Sequence, residues 1–289
     1  MTSQSPWNDI FNFFFNNFVE LTYQSEKYDS LANKIKLLAE QSNFSSSKEE
    51  SVDFQPFGKV ILPFHKMGAI TTLDLFGLDE LIIFAFYWLN RHDYKRAADI
   101  GANMGIHSIL MDKCGWQVTA FEPDPNHAER LRSHLQFNQC NKVNIIEAAV
   151  SKDEGTMDFV RVLGNTTSNH LVGAKDNAYG ELEVFPVKVV SIKEIMKDVN
   201  FIKMDAEGQE KTIILGTDQE DWKSTDMMLE VGSVDNATAI FNHLQQLGLH
   251  SFAQKTGWQE VKELTQMPTH YKEGSLFITS HSSIPWGVK

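Results

Sequence analysis

Two cysteines in 289 residues, Cys114 and Cys140, exclude a disulfide framework and a thiolate zinc cluster. Both are expected in helices, reduced and at least half-buried, as in a cytoplasmic protein. Long apolar runs are missing too. The most apolar helix candidate, Leu81 to Leu89, is far too short to span a bilayer and reads as a buried helix. The N-terminus lacks a basic region, and Asn12, Asn16 and Asn17 interrupt its aromatic run, so no signal peptide is expected. Positive charge is scarce: 26 Lys and Arg stand against 38 Asp and Glu, for a formal net charge of −12. Nucleic-acid binders show the opposite balance, so that partner class is set aside. Also absent are the G-x-G-x-x-G spacing of a dinucleotide site and the G-K-S/T ending of a phosphate-binding loop.

What is present starts at Arg96. From there, Ala97 to Ile100 reads as a short buried strand, Gly101 and Gly105 bracket a turn, and Ile106 to Cys114 has helical apolar spacing. A strand, a glycine turn and a helix open the nucleotide crevice of a doubly wound α/β domain. Asp99 just before the turn would repel a pyrophosphate but suits an ammonium group, which favours S-adenosylmethionine (SAM) over NAD or ATP. Glu122, a little over twenty residues on at the end of the next strand, is placed to accept both ribose hydroxyls. Asn103 and the backbone from Gly101 to Gly105 would shape the methionine end, and Glu147 and Ala148 would flank the adenine.

Around this centre the chain alternates strand and helix, which predicts a mostly parallel sheet with right-handed crossovers. Strands are expected at Gln117–Glu122, Lys142–Glu147, Phe201–Asp205 and Asp226–Val231, with acidic residues along one rim. Thr156–Val162 and Glu183–Val190 alternate apolar and polar residues around an irregular segment, 164–180. Leu249–Gln254, Trp258–Val261 and Ser275–Thr279 read as a closing antiparallel edge. Upstream, Trp7, Ile10, Phe11, Phe14, Phe15, Phe18 and Leu21 form an aromatic stripe on one predicted helix, Trp7–Leu38. Serine-rich Ser42–Glu50 is expected to be a mobile linker, Val60–Pro63 a short strand and Phe76–Arg91 a helix whose Asp79 and Glu80 complement its dipole. The division expected is a helical extension, residues 1–50, followed by a catalytic domain, 51–289.

Four segments in order, Asp99-Ile-Gly-Ala-Asn-Met-Gly105, Ala120-Phe-Glu-Pro-Asp124, Ala148-Ala-Val-Ser151 and Phe201-Ile-Lys-Met-Asp-Ala-Glu-Gly-Gln-Glu210, resemble the motifs of the FkbM family. The segment 164–168 resembles a polar stretch of the same family, while Ile192-Lys193 departs from its usual Leu-Asp. The resemblance covers about half the chain, from Glu80 to Glu230. It implies a class I, Rossmann-like, SAM-dependent methyltransferase that O-methylates natural products, sugars, related metabolites or a peptide carboxylate.

On that basis Asp205, at the end of the fourth core strand, is the first candidate to face the reacting centre. Glu207, expected on the first turn of the next helix beside Glu210, is a candidate for substrate or cofactor contact, and His170 for general base. His107 would orient the cofactor loop; His65 and His270 are minor candidates. No metal is expected, because Asp205 and Glu207 need not converge and no third ligand is evident. The alternatives are an NAD-dependent oxidoreductase and a scaffold that keeps the fold without turnover. The aromatic stripe is expected to shape the pocket of a small-molecule or peptide acceptor or to form a homodimer contact. Deleting the residues before Gln41 should therefore alter acceptor affinity, assembly state or stability; a truncated chain unchanged in titration, light scattering and denaturation would refute this.

Overall fold

The computed structural model describes residues 5–17, 21–68, 70–163, 169–173 and 181–286. Its centre is one eight-stranded sheet. The parallel part uses β3 (Arg96–Ile100), β4 (Gln117–Phe121), β5 (Val143–Ile146), β10 (Phe201–Met204) and β11 (Asp226–Glu230). The closing edge uses β12 (His250–Ala253), β13 (Gln259–Glu260) and β14 (Ser275–Thr279). The order is β13-β12-β14-β11-β10-β3-β4-β5, with β14 antiparallel to both β11 and β12. From β3 the chain first winds outward through β4 and β5, then crosses back to β10 and β11. The switch point therefore lies between β3 and β10, where open α/β sheets bind ligands.

Helices cover both faces. On one lie α3 (Leu78–Leu89), α4 (Ile106–Lys113) and α5 (Pro125–Phe137); on the other α6 (Ile192–Met196), α7 (Glu210–Ile214) and α8 (Val234–Leu247). The alternation along β10 explains the two cores: Phe201 joins the first cluster, Ile202 and Met204 the second. A smaller sheet, in the order β6-β9-β7-β8, is built from β6 (Ala149–Ser151), β7 (Gly155–Val162), β8 (His170–Leu171) and β9 (Leu182–Ser191). Its central pair, β7 and β9, is antiparallel from Gly155↔Val189 to Val162↔Leu182. The polar stretch 164–168, and 174–180 of the irregular segment, lie outside the described residues. No helix among the described residues is long and apolar enough to cross a membrane.

The N-terminal region differs from expectation. Two helices replace one, α1 (Pro6–Asn17) and α2 (Glu26–Gln41), and Ser25 caps the second by accepting from the Tyr28 amide at 3.1 Å. Trp7, Ile10, Phe11 and Phe14 are buried against the chain itself; Phe18 lies outside the described residues. The Trp7 ring sits 4.9 Å from Phe54, and Phe44 stacks on Phe76 at 3.8 Å. Phe44 is also the reason Ser42–Glu50 is not a mobile linker: its fully buried ring pins the segment, and a 3-10 turn over Asn43–Ser45 flanks it. A strand pair, β1 (Ser51–Asp53) and β2 (Lys59–Ile61), follows. The buried aromatic cluster then continues through Phe54 to Phe84 of α3. Cys114 caps α4, and Cys140 lies beyond the end of α5 rather than in a helix. Burial pushes both thiols up, Cys140 to about 12.

Asp79 joins three parts of the chain. The Tyr28 hydroxyl of α2 lies 2.7 Å from both of its oxygens, and the Gln254 side chain, next to β12, donates to it as well. Burial, outweighing these bonds, pushes its carboxyl up to about 6. The folded protein thus binds this proton more tightly than the unfolded chain. The stabilisation is complete below about pH 4 and is lost as pH rises through about 6. Between pH 4 and pH 7, urea unfolding should show the wild type losing about 2.5 kcal/mol relative to Asp79→Asn. A difference that stays constant with pH would refute the assignment.

Candidate active site

The turn after β3 is shaped by two backbone demands. Gly101 has φ +76°, and a Cβ there would sit 1.9 Å from the Asp205 carbonyl oxygen. The turn therefore packs directly on the end of β10, an approach only glycine permits. The Gly101 and Ala102 amides both donate to the Phe121 carbonyl at 3.0 Å, which ties the turn to β4. Asn103 follows at φ +48°, and its amide donates to Glu122 Oε2 at 2.8 Å. The other oxygen of Glu122 accepts from the Asp124 amide at 2.9 Å, and His127 Nδ1 lies 3.7 Å away. Two backbone donors thus fix this carboxylate and leave further lone-pair positions on its oxygens.

Here the structure opens a cleft of about 630 Å³, part of it open to solvent. Of the residues singled out in the sequence, it brings Gly101, Asn103, Glu122, Ala148, Asp205, Glu207 and His170 together along the wall. Asp99, Gly105 and Glu147 are not lining residues. Asp99 is fully buried; one oxygen accepts from the Ser108 hydroxyl at 2.6 Å, and the other has no hydrogen-bond partner among the described residues. Gly105, at φ +86°, starts α4 against Leu131. The Glu147 carboxylate is turned to the Arg132 guanidinium on α5, and Ala148, Ala149 and Val150 form that wall instead.

The smaller sheet closes one side of the cleft with Phe159, Asn169, His170 and Leu171. It is docked by an ion pair that sequence reasoning missed. Asp124, which caps α5 at the Asn126 amide, accepts from Arg161 Nε at 2.8 Å and Nη2 at 2.6 Å, and from Asn169 at 2.9 Å. Burial alone would raise Asp124; the Arg161 bonds outweigh it and hold the carboxyl below its ordinary range. A lone arginine in the alternating strand β7 was the available signal. His127, also missed, faces the cleft with Nε2 unpartnered among the described residues.

The turn after β10 also departs from expectation. Helix α7 starts at Glu210, so Glu207 sits in the turn before it, at φ +49°, and not on the helix. Glu210 organises that turn: its carboxylate accepts from the Ala206 amide at 3.0 Å, from the Gly208 amide at 3.0 Å and from Asn236 at 3.2 Å. Burial nonetheless raises its pKa. Asp205 is left facing the cleft, with Oδ2 4.0 Å from the Lys203 ammonium. His107 bonds the Tyr87 hydroxyl at 2.8 Å and pairs with Glu80 at 3.0 Å, which holds α4 to α3. Glu80 and Asp79 thus make specific contacts besides any effect on the dipole. His65 packs 5.6 Å from His134, and His270 caps a short 3-10 turn; neither lines the cleft. No group of three or more His, Cys, Asp or Glu among the described residues could hold a metal ion.

A glycine turn at the switch point and an acid at the end of the next strand define a doubly wound α/β protein with a nucleoside-type site. Within that class, a family model for the FkbM methyltransferase domain matches residues 99–264, and the chain belongs to this family. Among curated relatives, methyltransferase sdnD of Sordaria araneosa is 24% identical over 158 residues, covering 43% of this chain and 61% of the relative. Methyltransferase 1 of Beauveria bassiana (strain ARSEF 2860) is 24% identical over 151 residues, covering 44% and 60%. The match spans about 60% of the length of these relatives. Among solved structures, a Bacillus cereus O-methyltransferase in complex with SAH aligns at 10% identity and TM-score 0.37, over 68% of this chain and 78% of that one. A Geobacter metallireducens precorrin-6y C5,15-methyltransferase aligns at 15% and 0.35, over 66% and 82%. Membership in the methyltransferase family makes SAM the cofactor.

The contact at Gly101 supplies a test. Gly101→Ala forces a side chain onto the Asp205 carbonyl at a positive φ, and should cost about 2 kcal/mol or more in urea unfolding. It should also abolish SAM binding in calorimetry. Binding and stability like those of the wild type would show that the turn tolerates a Cβ.

Proposed function

We propose that the chain is an O-methyltransferase that moves the SAM methyl group to an oxygen of a small metabolite, sugar or natural-product peptide. The charge of the cleft carries the reading. Its described lining holds three carboxylates, Glu122, Asp205 and Glu207, and neither lysine nor arginine. Such a wall fits a ligand with sulfonium and ammonium groups and no phosphate, and it disfavours the pyrophosphate of NAD. The unpartnered buried oxygen of Asp99 adds a further acceptor close to the turn.

In this reading the bound cofactor supplies an electrophilic methyl group, and the chain's own residues position and deprotonate. Glu122, fixed by the Asn103 and Asp124 amides, accepts the ribose hydroxyls. The peptide units from Gly101 to Gly105 and Asn103 hold the methionine end, with Asp99 behind them, and Ala148 to Val150 flank the adenine. Asp205 and Glu207 border the reacting side, and His170 on β8 is a candidate base across the cleft. Closure by the smaller sheet would exclude water and hold the acceptor for in-line transfer.

The same proposal takes residues 51–289 as the catalytic domain and 1–50 as a helical extension; the family match begins at Asp99. The buried face of α1 is used within the chain, so a homodimer would have to use its outer side, where Phe13 is exposed. Two buried thiols support a cytoplasmic setting.

Calorimetry with SAM, S-adenosylhomocysteine and NAD tests the reading. SAM and its product should bind and NAD should not, and Glu122→Gln should weaken SAM by about tenfold or more. NAD binding tighter than SAM, or full affinity in Glu122→Gln, would overturn it.

A further inference from the structure

At the carboxyl end of the sheet, on the side covered by α3 and α4, lies a charged group that the cofactor does not account for. Lys203 on β10 is paired in register with Asp99 on β3, and the two side chains share that face. The register of β10 with β11 ends at Met204↔Leu229, so the next residues, Asp205 and Glu230, follow side by side. Lys203 is only 6% exposed, yet its ammonium donates no hydrogen bond among the described residues; its nearest recorded charge contact is Asp205 Oδ2, at 4.0 Å. The unused donors of this ammonium can be satisfied by a ligand or by water. The unpartnered oxygen of Asp99, which is itself fully buried, stands on the same face.

We propose that Asp205 and Glu230, above the buried ammonium of Lys203, form the acceptor subsite, and that it takes a neutral hydroxyl and removes its proton. This rests on the methyltransferase reading and narrows it. A hydroxyl can donate to a carboxylate while accepting from the ammonium, so it satisfies both kinds of group. A carboxylate acceptor would meet Asp99, Asp205, Glu230 and, from α3, Glu80 against one lysine. An ammonium acceptor would lie against Lys203.

The charges support the assignment. Burial alone would lower Lys203, but Asp205, Asp99, Glu80 and Glu230 outweigh it and hold the ammonium charged. Burial, then Asp205 and Glu80, push Glu230 well above its ordinary range, with Lys203 opposing and Glu207 adding to the rise. Glu80 itself is held low by His107 and then Lys203 against its burial. Adjacent at the ends of β10 and β11, the two carboxyl groups are placed to take the hydroxyl proton between them. As an oxygen lone pair forms the new C–O bond, the C–S bond pair stays on sulfur as the thioether. The hydroxyl proton passes to the Asp205–Glu230 pair and then to water.

The experiment uses the full chain saturated with S-adenosylhomocysteine. Glutamate carboxyl carbons are labelled, and the Glu230 resonance is assigned by its loss in Glu230→Gln. It should titrate well above the ordinary glutamate range and fall by about one pH unit or more in Asp205→Asn. Saturation-transfer NMR then compares methyl α-D-glucopyranoside, D-glucuronate and D-glucosamine. The neutral polyol should receive the most saturation, and Lys203→Met and Glu230→Gln should both lose it. An ordinary Glu230 unaffected by Asp205→Asn, stronger saturation of glucuronate or glucosamine, or no saturation of any probe would each overturn the proposal. SAM calorimetry on the same samples separates the two readings. Glu230→Gln should bind SAM within about threefold of wild type, which also shows that it folds. Failure of the wild type to bind SAM would sink the methyltransferase reading itself.

Discussion

The close approach of Gly101 to the Asp205 carbonyl sets the geometry on which the cleft depends. It brings the turn after β3 against the end of β10, at the point where the sheet reverses its winding. The Asn103 amide then faces Glu122, and the carboxyl ends of β3, β4 and β10 converge on one space. A methyl group at position 101 would separate the turn from the strand and open that arrangement, so a single missing atom couples fold to site.

A second constraint is the concentration of negative charge. Buried carboxylates are costly unless bonded or neutralised, and this chain satisfies them in different ways. Glu122 is fixed by two backbone amides, Glu210 is absorbed by the turn before α7, and Asp124 is neutralised by Arg161. Each of these bonds also builds something: a wall of the cleft, the Asp205–Gly208 turn, and the docking of the smaller sheet. Asp205 and Glu230 carry no such bond among the described residues, and Asp205 faces the cleft.

The N-terminal aromatic residues are tied to the same framework. Trp7, Phe11 and Phe14 enter a cluster that includes Phe44, Phe54 and Phe84, and Asp79 links α2 to α3 and to the edge near β12. Helix α3 also carries Glu80 and Tyr87, the partners of His107 on α4. Disturbance of the N-terminal packing therefore has a physical route to the helix that follows the glycine turn.

The parallel strands, the crossovers, the antiparallel edge and the Gly101–Gly105 turn were legible because they rest on local periodicity and on glycines whose role is backbone geometry. The family motifs, from Asp99 to Glu210, were legible as short ordered strings of residue types. Less was visible where the decisive partner is distant in the chain. Ser42–Glu50 looked loose because its composition is polar, yet one ring, Phe44, finds a buried site. Glu147 looked like a cofactor contact until Arg132 took its carboxylate, and Glu207 looked helical until Glu210 set the turn. Lys203 and Glu230 gained meaning only when strand pairing put them beside Asp99 and Asp205. By itself the sequence determined the elements, the turn and the family. Only the tertiary structure decided which charges meet, because strand register and burial, set by packing across the whole sheet, control which carboxylates are satisfied and which remain to act.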